Sequence, residues 1–236
     1  MRTRILNVVA AVAIAAVSGQ AMAGKADDTL NVAFEEEVST LDAYKEISRS
    51  GLILARMLHD NLLLKDLKTG EFLPALAESY KVVDDKTLDF VIRKGVKFHD
   101  GKELTADDVA YTLTQVSKKE YNTRYQITVN WIESVEKTGP YSVRIKMKFV
   151  YPLALEMLAG PLPIYPKHYL EAVGSAGMSA KPIGAGPYRM VESTTGTRFV
   201  LERFDDYYAA SPKGRPAIKR LVAKILPEAN VQYAEL

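Results

Sequence analysis

Apolar and polar residues alternate over several short stretches, which predicts β-strands along most of the chain. Thr29–Phe34 alternates well enough for a first strand. Two polar turns, DDK at 84–86 and GP at 139–140, each separate two alternating segments and predict two hairpins. A third hairpin is predicted around Thr195-Gly196, and a last strand at Ile218–Leu226. Short helices punctuated by prolines are expected between residues 150 and 182.

One stretch has the helical period. The apolar residues recur at helical spacing between Arg49 and Leu63, which predicts a helix with a buried stripe. The stripe consists of Leu52, Ile53, Met57, Leu58 and Leu62.

The segment FHDGKELTADDVAYTL, residues 98–113, has the signals of a second helix and resembles a catalytic centre only in composition. Thr105 has the N-cap residue type, and Asp108 stands at the third helical position, so the two can form a capping box. Leu104 and Val109 are placed for a hydrophobic staple. Helix onset therefore explains the aspartates, and we interpret His99 as part of a strand, turn and helix junction.

The N-terminus has the pattern of a secretory signal peptide, which we assign to residues 1–23. Arg2 and Arg4 precede an apolar run from Ile5 to Val17, and AMA at 21–23 fits a cleavage site of small residues. The run is short for a membrane span of about 20 residues. An uncleaved membrane anchor is the alternative.

Charge and cysteine content limit the classes of partner. Removal of residues 1–23 takes two arginines from the 31 basic residues and leaves them equal in number to the 29 acidic ones. No basic block or basic and aromatic stripe is present, so we expect no nucleic-acid partner. The chain has no cysteine, so neither a disulfide nor a lipid-bearing cysteine after the signal is expected.

The sequence contains no strong catalytic motif. Two of the three histidines stand in HisAsp pairs, at 59–60 and 99–100, which leaves an exported metal-dependent hydrolase as an alternative. Metal sites need several converging ligands, and these histidines lie on different predicted elements, so we expect no metal. GAG at 184–186 lacks the spacing of a phosphate-binding loop, so we expect its glycines to allow a tight turn. No GxSxG motif is present, and we expect neither catalysis nor a cofactor.

Four motifs in register resemble the extracellular solute-binding proteins of family 5, which serve ABC importers of peptides, dipeptides and nickel. The longest is AESYKVVDDKTLDFVIRKGVKFHDG at 77–101, followed by LTADDV. The others are STLD at 39–42, IGAGPY at 183–188 and RFDDYY at 203–208. The similarity extends over essentially the whole chain after residue 23.

The resemblance implies a mixed α/β fold, a clamshell of the type II periplasmic-binding-protein kind. Lobe one would comprise residues 24–58 and 150–226, with an inserted α+β subdomain at residues 59–149. Family members are much longer than this chain, so we expect the second lobe to be missing and residues 227–236 to begin it.

The resemblance also implies a periplasmic receptor, exported through a cleavable signal and not lipid-anchored. It would be a monomer that captures a small solute, a peptide above all, and delivers it to an inner-membrane permease and ATPase complex. The backbone of residues 47–49 would pair with an extended ligand, and Arg49 would bind a carboxylate. The expected ligand-contacting residues are Tyr44, Ile47, Ser48, Arg49, Tyr125, Gly160, Pro161 and Leu162. A non-functional truncated fragment is a further alternative.

Overall fold

A computed structural model describes residues 27–194 and 196–228 as a mixed α/β protein. The predicted signal peptide, Thr195 and residues 229–236 lie outside the described residues. The strands are β1 (Thr29–Phe34), β2 (Leu63–Lys65), β3 (Phe72–Pro74), β4 (Ala77–Asp84), β5 (Thr87–Ile92), β6 (Ile132–Gly139), β7 (Ser142–Met147), β8 (Tyr188–Thr194), β9 (Arg198–Arg203) and β10 (Arg220–Ile225). The helices are α1 (Arg49–Leu58), α2 (Ala106–Val116), α3 (Ala154–Ala159) and α4 (Lys167–Ala180). In this part of the chain, no helix combines the length and apolar character needed to cross a membrane.

Two four-stranded sheets dominate the described chain. The first has the order β1-β10-β9-β8, with β1 parallel to β10 and the other pairs antiparallel. The second is antiparallel with the order β4-β5-β7-β6 and comes entirely from residues 77–147. The strand at Thr29–Phe34 and all three predicted hairpins are confirmed. A two-stranded ribbon of β2 and β3 stands apart from both sheets.

Two apolar cores accompany the sheets. The larger joins one face of the second sheet to α2 and to residues 154–185, and it contains the fully buried Trp131. The smaller packs Leu54 and Leu58 of α1 against Phe199 and Leu201 of the first sheet. Burial of this apolar area supplies most of the stabilisation of each layer.

The start of α2 follows the sequence signals closely. The Thr105 amide donates to Asp108 Oδ2 at 2.8 Å, and the reciprocal capping box is present. Leu104 and Val109 are fully buried, as a hydrophobic staple requires. The predicted capping box is confirmed, and Asp108 also accepts the Lys167 amide through Oδ1 at 2.8 Å.

Helix α1 differs from its prediction in both length and buried face. It ends at Leu58, so Leu62 and Leu63 leave the helix. The buried face consists of Ser50, Gly51, Leu54 and Leu58. Leu52 and Ile53, predicted to be buried, are 42% and 37% exposed. The predicted stripe was therefore wrong at Leu52 and Ile53, whereas Leu58 is buried as predicted.

Tertiary contacts explain the early end of α1. His59 adopts an extended conformation, and the fully buried Asp60 accepts hydrogen bonds from the hydroxyls of Tyr207 and Tyr208, both at 2.8 Å. Lys213 Nζ donates to the carbonyl oxygen of Arg56 at 2.7 Å and lies 2.5 Å from Asp60 Oδ1. A cation therefore satisfies the last carbonyls of α1. The RFDDYY motif supplies both tyrosines of this cluster.

Candidate ligand-binding cleft

A cleft of about 340 Å³ opens between the exposed face of α1 and the segment that follows α3. Most of its lining is apolar, and the polar side chains come from three separate positions of the chain. It is lined by Ala43, Leu52, Ala55, Arg56, Asn61, Glu156, Met157, Gly160, Pro161 and Pro163.

The far wall of the cleft, residues 160–164, is fixed by backbone contacts. Asn61 Nδ2 donates to the carbonyl oxygen of Gly160 at 3.1 Å, and Asn61 and Pro163 form an antiparallel bridge. From behind, the Tyr44 hydroxyl donates to the carbonyl oxygen of Pro163 at 2.5 Å. The wall is thus held on both sides, so the cleft is largely preformed.

Asp42 organises the side chains behind this wall. Its Oδ1 accepts from the Tyr44 amide at 3.1 Å and from the Tyr165 hydroxyl at 3.0 Å. Its Oδ2 accepts from the Tyr121 hydroxyl at 2.9 Å and from the Ser175 hydroxyl. Burial raises the pKa of Tyr44, Tyr165 and Tyr121 far above the usual range, so all three hydroxyls remain protonated donors. The STLD motif therefore carries a structural anchor.

The two charged side chains that line the cleft differ in whether they have a partner of opposite charge. Glu156 Oε2 lies 2.6 Å from Lys65 Nζ, so its charge is compensated within the wall. Arg56 is exposed and lines the cleft, and within residues 27–194 and 196–228 its guanidinium has neither an ion pair nor a hydrogen bond. The cleft consequently offers one uncompensated positive charge.

The segment predicted to pair with a ligand already has its amides bound. The amides of Ile47 and Ser48 both donate to Glu46 Oε1, at 2.7 and 2.6 Å. The Arg49 amide donates to Glu36 Oε2 at 2.7 Å. The carbonyl oxygen of Ser48 also accepts from the Leu52 amide at 3.0 Å, so little of this backbone is free to pair with a ligand. Ser48 is the N-cap of α1, and its hydroxyl accepts from the Gly51 amide at 3.0 Å.

The predicted contact residues occupy different environments. Gly160 and Pro161 line the cleft, whereas Leu162 beside them is fully buried. Tyr44 is also buried and supports the wall from behind. The remaining members of the predicted set stay outside the lining. They are Ile47, which is 45% exposed, Ser48, Arg49, which is exposed, and Tyr125, which is 54% exposed.

Sequence reasoning missed the helical side of the cleft. The apolar pattern placed Leu52 on the buried stripe and gave no signal for Ala55 or Arg56, although all three line the cleft. The sequence feature that could have identified the buried face of α1 is the pair of small residues Ser50 and Gly51. Small residues permit close packing, and this pair lies on the face away from Leu52. Nothing in the local sequence indicated Asn61 or Glu156.

His99 binds the backbone of the GAG loop. Its Nδ1 accepts from the Gly184 amide at 3.2 Å, and its Nε2 lies 3.1 Å from the carbonyl oxygen of Gly186. Both ring nitrogens are engaged, which confirms the structural interpretation of His99. Across residues 27–194 and 196–228, no three His, Cys, Asp or Glu side chains form a group that could hold a metal ion.

The two glycines of this loop serve close packing. Neither has a positive φ, so the expected tight turn is not their reason. A Cβ on Gly184 would lie 2.0 Å from the carbonyl oxygen of Leu58, and one on Gly186 would lie 2.5 Å from the His59 amide nitrogen. The loop therefore passes directly against the end of α1, which a larger residue would prevent.

The arrangement of sheets, motifs and cleft matches a known family. The model for bacterial extracellular solute-binding proteins, family 5 Middle, matches residues 71–236. The chain belongs to family 5 of the bacterial extracellular solute-binding proteins. It is 38% identical over 214 residues to the oligopeptide-binding protein AppA of Bacillus subtilis, covering 86% of this chain. It is 31% identical over 207 residues to the dipeptide-binding protein of Escherichia coli, covering 76% of this chain.

Solved structures agree with the family assignment. The structure of Bacillus subtilis AppA in complex with a nonapeptide superposes with a TM-score of 0.78 at 34% identity and covers 88% of this chain. The fold of this family 5 protein is therefore the mixed α/β fold of its relatives. The chain spans 36% of the length of curated AppA, 37% of the dipeptide-binding protein and 42% of the solved AppA chain. It corresponds to a part of those proteins.

Proposed function

We propose that this protein is the substrate-binding component of an ABC importer, which captures a peptide or a similar small solute and delivers it to a permease. Family membership supports a solute-binding role. The relatives named above bind an oligopeptide and a dipeptide according to their names, which favours a peptide here. Binding and delivery require neither catalysis nor a cofactor.

The observation that carries the proposal is the preformed cleft beside α1. Leu52 is 42% exposed on the cleft side of the helix, whereas Leu54 and Leu58 of the same helix are buried. Solute sites are concave, mostly apolar and equipped with a few fixed polar groups, and this cleft has all three properties. The cleft is open on one side, so a ligand held there needs a second surface to enclose it.

We propose the clamshell division that the family resemblance implies. Residues 24–58 and 150–226 form lobe one, residues 59–149 form the insert, and residues 227–236 begin a second lobe that closes over the cleft by a hinge motion. Gly160 and Pro161 would contact the solute directly, while Ile47, Ser48, Arg49 and Tyr125 would lie on the rim. Tyr44 and Leu162 would act through the wall that they support.

The site of action would be the periplasm. The sequence pattern of residues 1–23 supports export, and the chain has no cysteine to carry a lipid. The protein would act as a monomer and would meet a permease and ATPase complex at the inner membrane.

Thermal unfolding tests the proposal. The protein, expressed from its complete reading frame, is heated with and without a pool of random peptides of two to nine residues. A ligand that binds only the folded state stabilises it by about 2.7 kcal/mol at a concentration of 100 Kd, which raises Tm by several degrees. A mixture of free amino acids serves as the control. An unchanged Tm at millimolar peptide would exclude peptides as the solute.

A further inference from the structure

We propose that Arg56 binds a carboxylate group of the solute and so makes this cleft selective for anionic ligands. The inference rests on the proposed function and names a property of the same site. It assigns to the last turn of α1 the carboxylate contact that the family resemblance placed at Arg49, in its first turn.

The position of Arg56 follows from helix geometry. Leu52 and Arg56 are four residues apart on α1, so their side chains lie on the same face, one turn above the other. Both line the cleft, with Ala55 between them. Arg49 is seven residues before Arg56, about two turns away at the start of the helix, and does not line the cleft. Of the two arginines, Arg56 is the one that a solute in the cleft would meet.

The backbone of Arg56 is fixed while its guanidinium is free. Lys213 Nζ holds the carbonyl oxygen of Arg56 at 2.7 Å, and this lysine is itself compensated by Asp60 at 2.5 Å. The nearby Glu156 is compensated by Lys65 at 2.6 Å. Within the described residues, the neighbouring charged side chains Lys213 and Glu156 thus each have a partner of opposite charge. The guanidinium of Arg56 has none and is available to bind a ligand.

The chemistry of the lining identifies the anion. A guanidinium presents planar paired donors that match a carboxylate in a bidentate geometry. Leu52, Met157, Pro161 and Pro163 surround this single cation with apolar surface. A polyphosphate would need several cations, whereas an organic acid or a peptide needs one charge contact and apolar surface for its body. The lining therefore favours a carboxylate on an apolar solute.

The experiment compares three random peptide pools of two to nine residues. The first lacks Asp and Glu and has free C-terminal carboxylates, the second is the same pool with C-terminal amides, and the third contains Asp and Glu but has C-terminal amides. Apparent affinities are measured by competition and Tm shift on the protein from its complete reading frame. The first and second pools test the terminal carboxylate, and the third tests side-chain carboxylates.

The expected result is that at least one carboxylate-bearing pool binds the wild type about tenfold more tightly than the pool without carboxylates. Arg56→Gln should abolish this preference, and Arg56→Lys should retain part of it because the charge remains without the paired geometry. Arg220→Gln, which removes the same charge from a side chain 42% exposed on the first sheet, should keep the preference. The ligand-free Tm of each variant shows that it folds.

Each other outcome has a defined meaning. Equal binding of all three pools by the wild type would overturn the role of Arg56 and leave peptide binding intact. A preference for carboxylates that survives Arg56→Gln would move the contact to another residue and also overturn the inference. If no pool bound at all, the proposed function itself would fail for peptides.

Discussion

The absence of a Cβ at Gly184 and Gly186 allows their loop to pack directly against the end of α1. His99 holds the loop from one side through both ring nitrogens, and the end of α1 presses against it from the other. The distance of 2.0 Å between a Cβ on Gly184 and the carbonyl oxygen of Leu58 is far below any real contact. Since that oxygen belongs to the backbone of a packed helix, it cannot move aside cheaply.

We therefore expect Gly184→Ala to lower the free energy of unfolding by about 3 kcal/mol or more, through overpacking against α1. Gly139→Ala is the matched control, because a Cβ there meets only the hydroxyl of Ser142 at 2.7 Å, which can rotate away. The control should change stability by less than about 1 kcal/mol. Urea unfolding followed by circular dichroism measures both, and equal effects of the two substitutions would refute the packing argument.

The residue interactions that could be predicted from the sequence are those between residues close together in the chain. The capping pair Thr105 and Asp108 was readable because its two members are three residues apart and interact within one turn. Asp42 was not readable, because its partners Tyr121 and Tyr165 come from distant positions. A carboxylate that anchors distant segments looks in sequence like any other loop aspartate.

At the scale of elements, helix α1 connects the first sheet to the cleft. Its inner face packs on the first sheet, and its outer face lines the cleft. The apolar period predicted the helix but not its end, because the end depends on Lys213 and Asp60 rather than on a local stop signal. The strands and hairpins were predictable since their turns are marked in the sequence, whereas which face of α1 is inner depends on what covers it.

The contact between Lys213 and the end of α1 leads to a stability prediction. Asp60 is 1% exposed, so Lys213→Met would leave a buried carboxylate without its cation and should cost about 3–5 kcal/mol. Adding Asp60→Asn should recover part of the loss, because an amide carries no charge. Lys97→Met is the control, since the pair of Lys97 with Asp206 is 47% and 58% exposed and is worth at most about 1 kcal/mol. Calorimetric unfolding of the four proteins provides the comparison, and a loss no larger than that of the control would contradict it.

At the scale of the whole molecule, two buried histidines make the folded state sensitive to acid. Burial lowers the pKa of His59 to about 3 and that of His99 to about 4. In the unfolded chain both titrate near 6.5. Below about pH 6.5 the unfolded chain therefore binds protons that the folded protein does not, so stability is full above this pH and declines as the pH falls toward 4.

In this pH window, each histidine should lower the free energy of unfolding by up to about 1.4 kcal/mol for each pH unit of acidification. His59→Phe should reduce this pH dependence by the contribution of one histidine. The substitution removes no hydrogen bond, because neither ring nitrogen of His59 has a partner in the described structure. Denaturant unfolding between pH 7.5 and 4.5 measures the slopes. Comparing each protein with itself at pH 7.5 removes any packing cost of the larger ring. A slope unchanged by the substitution would show that His59 does not titrate as described.

The parallel pairing of β1 with β10 has a consequence for how the chain reaches this architecture. Residues 29–34 find their partners only at residues 220–225, whereas the second sheet is assembled from the continuous stretch 77–147. Closing so long a loop is entropically slow compared with forming neighbouring hairpins. The first strand therefore stays without its partner until residues 220–225 are available, whereas the second sheet can form as soon as residue 147 has been made.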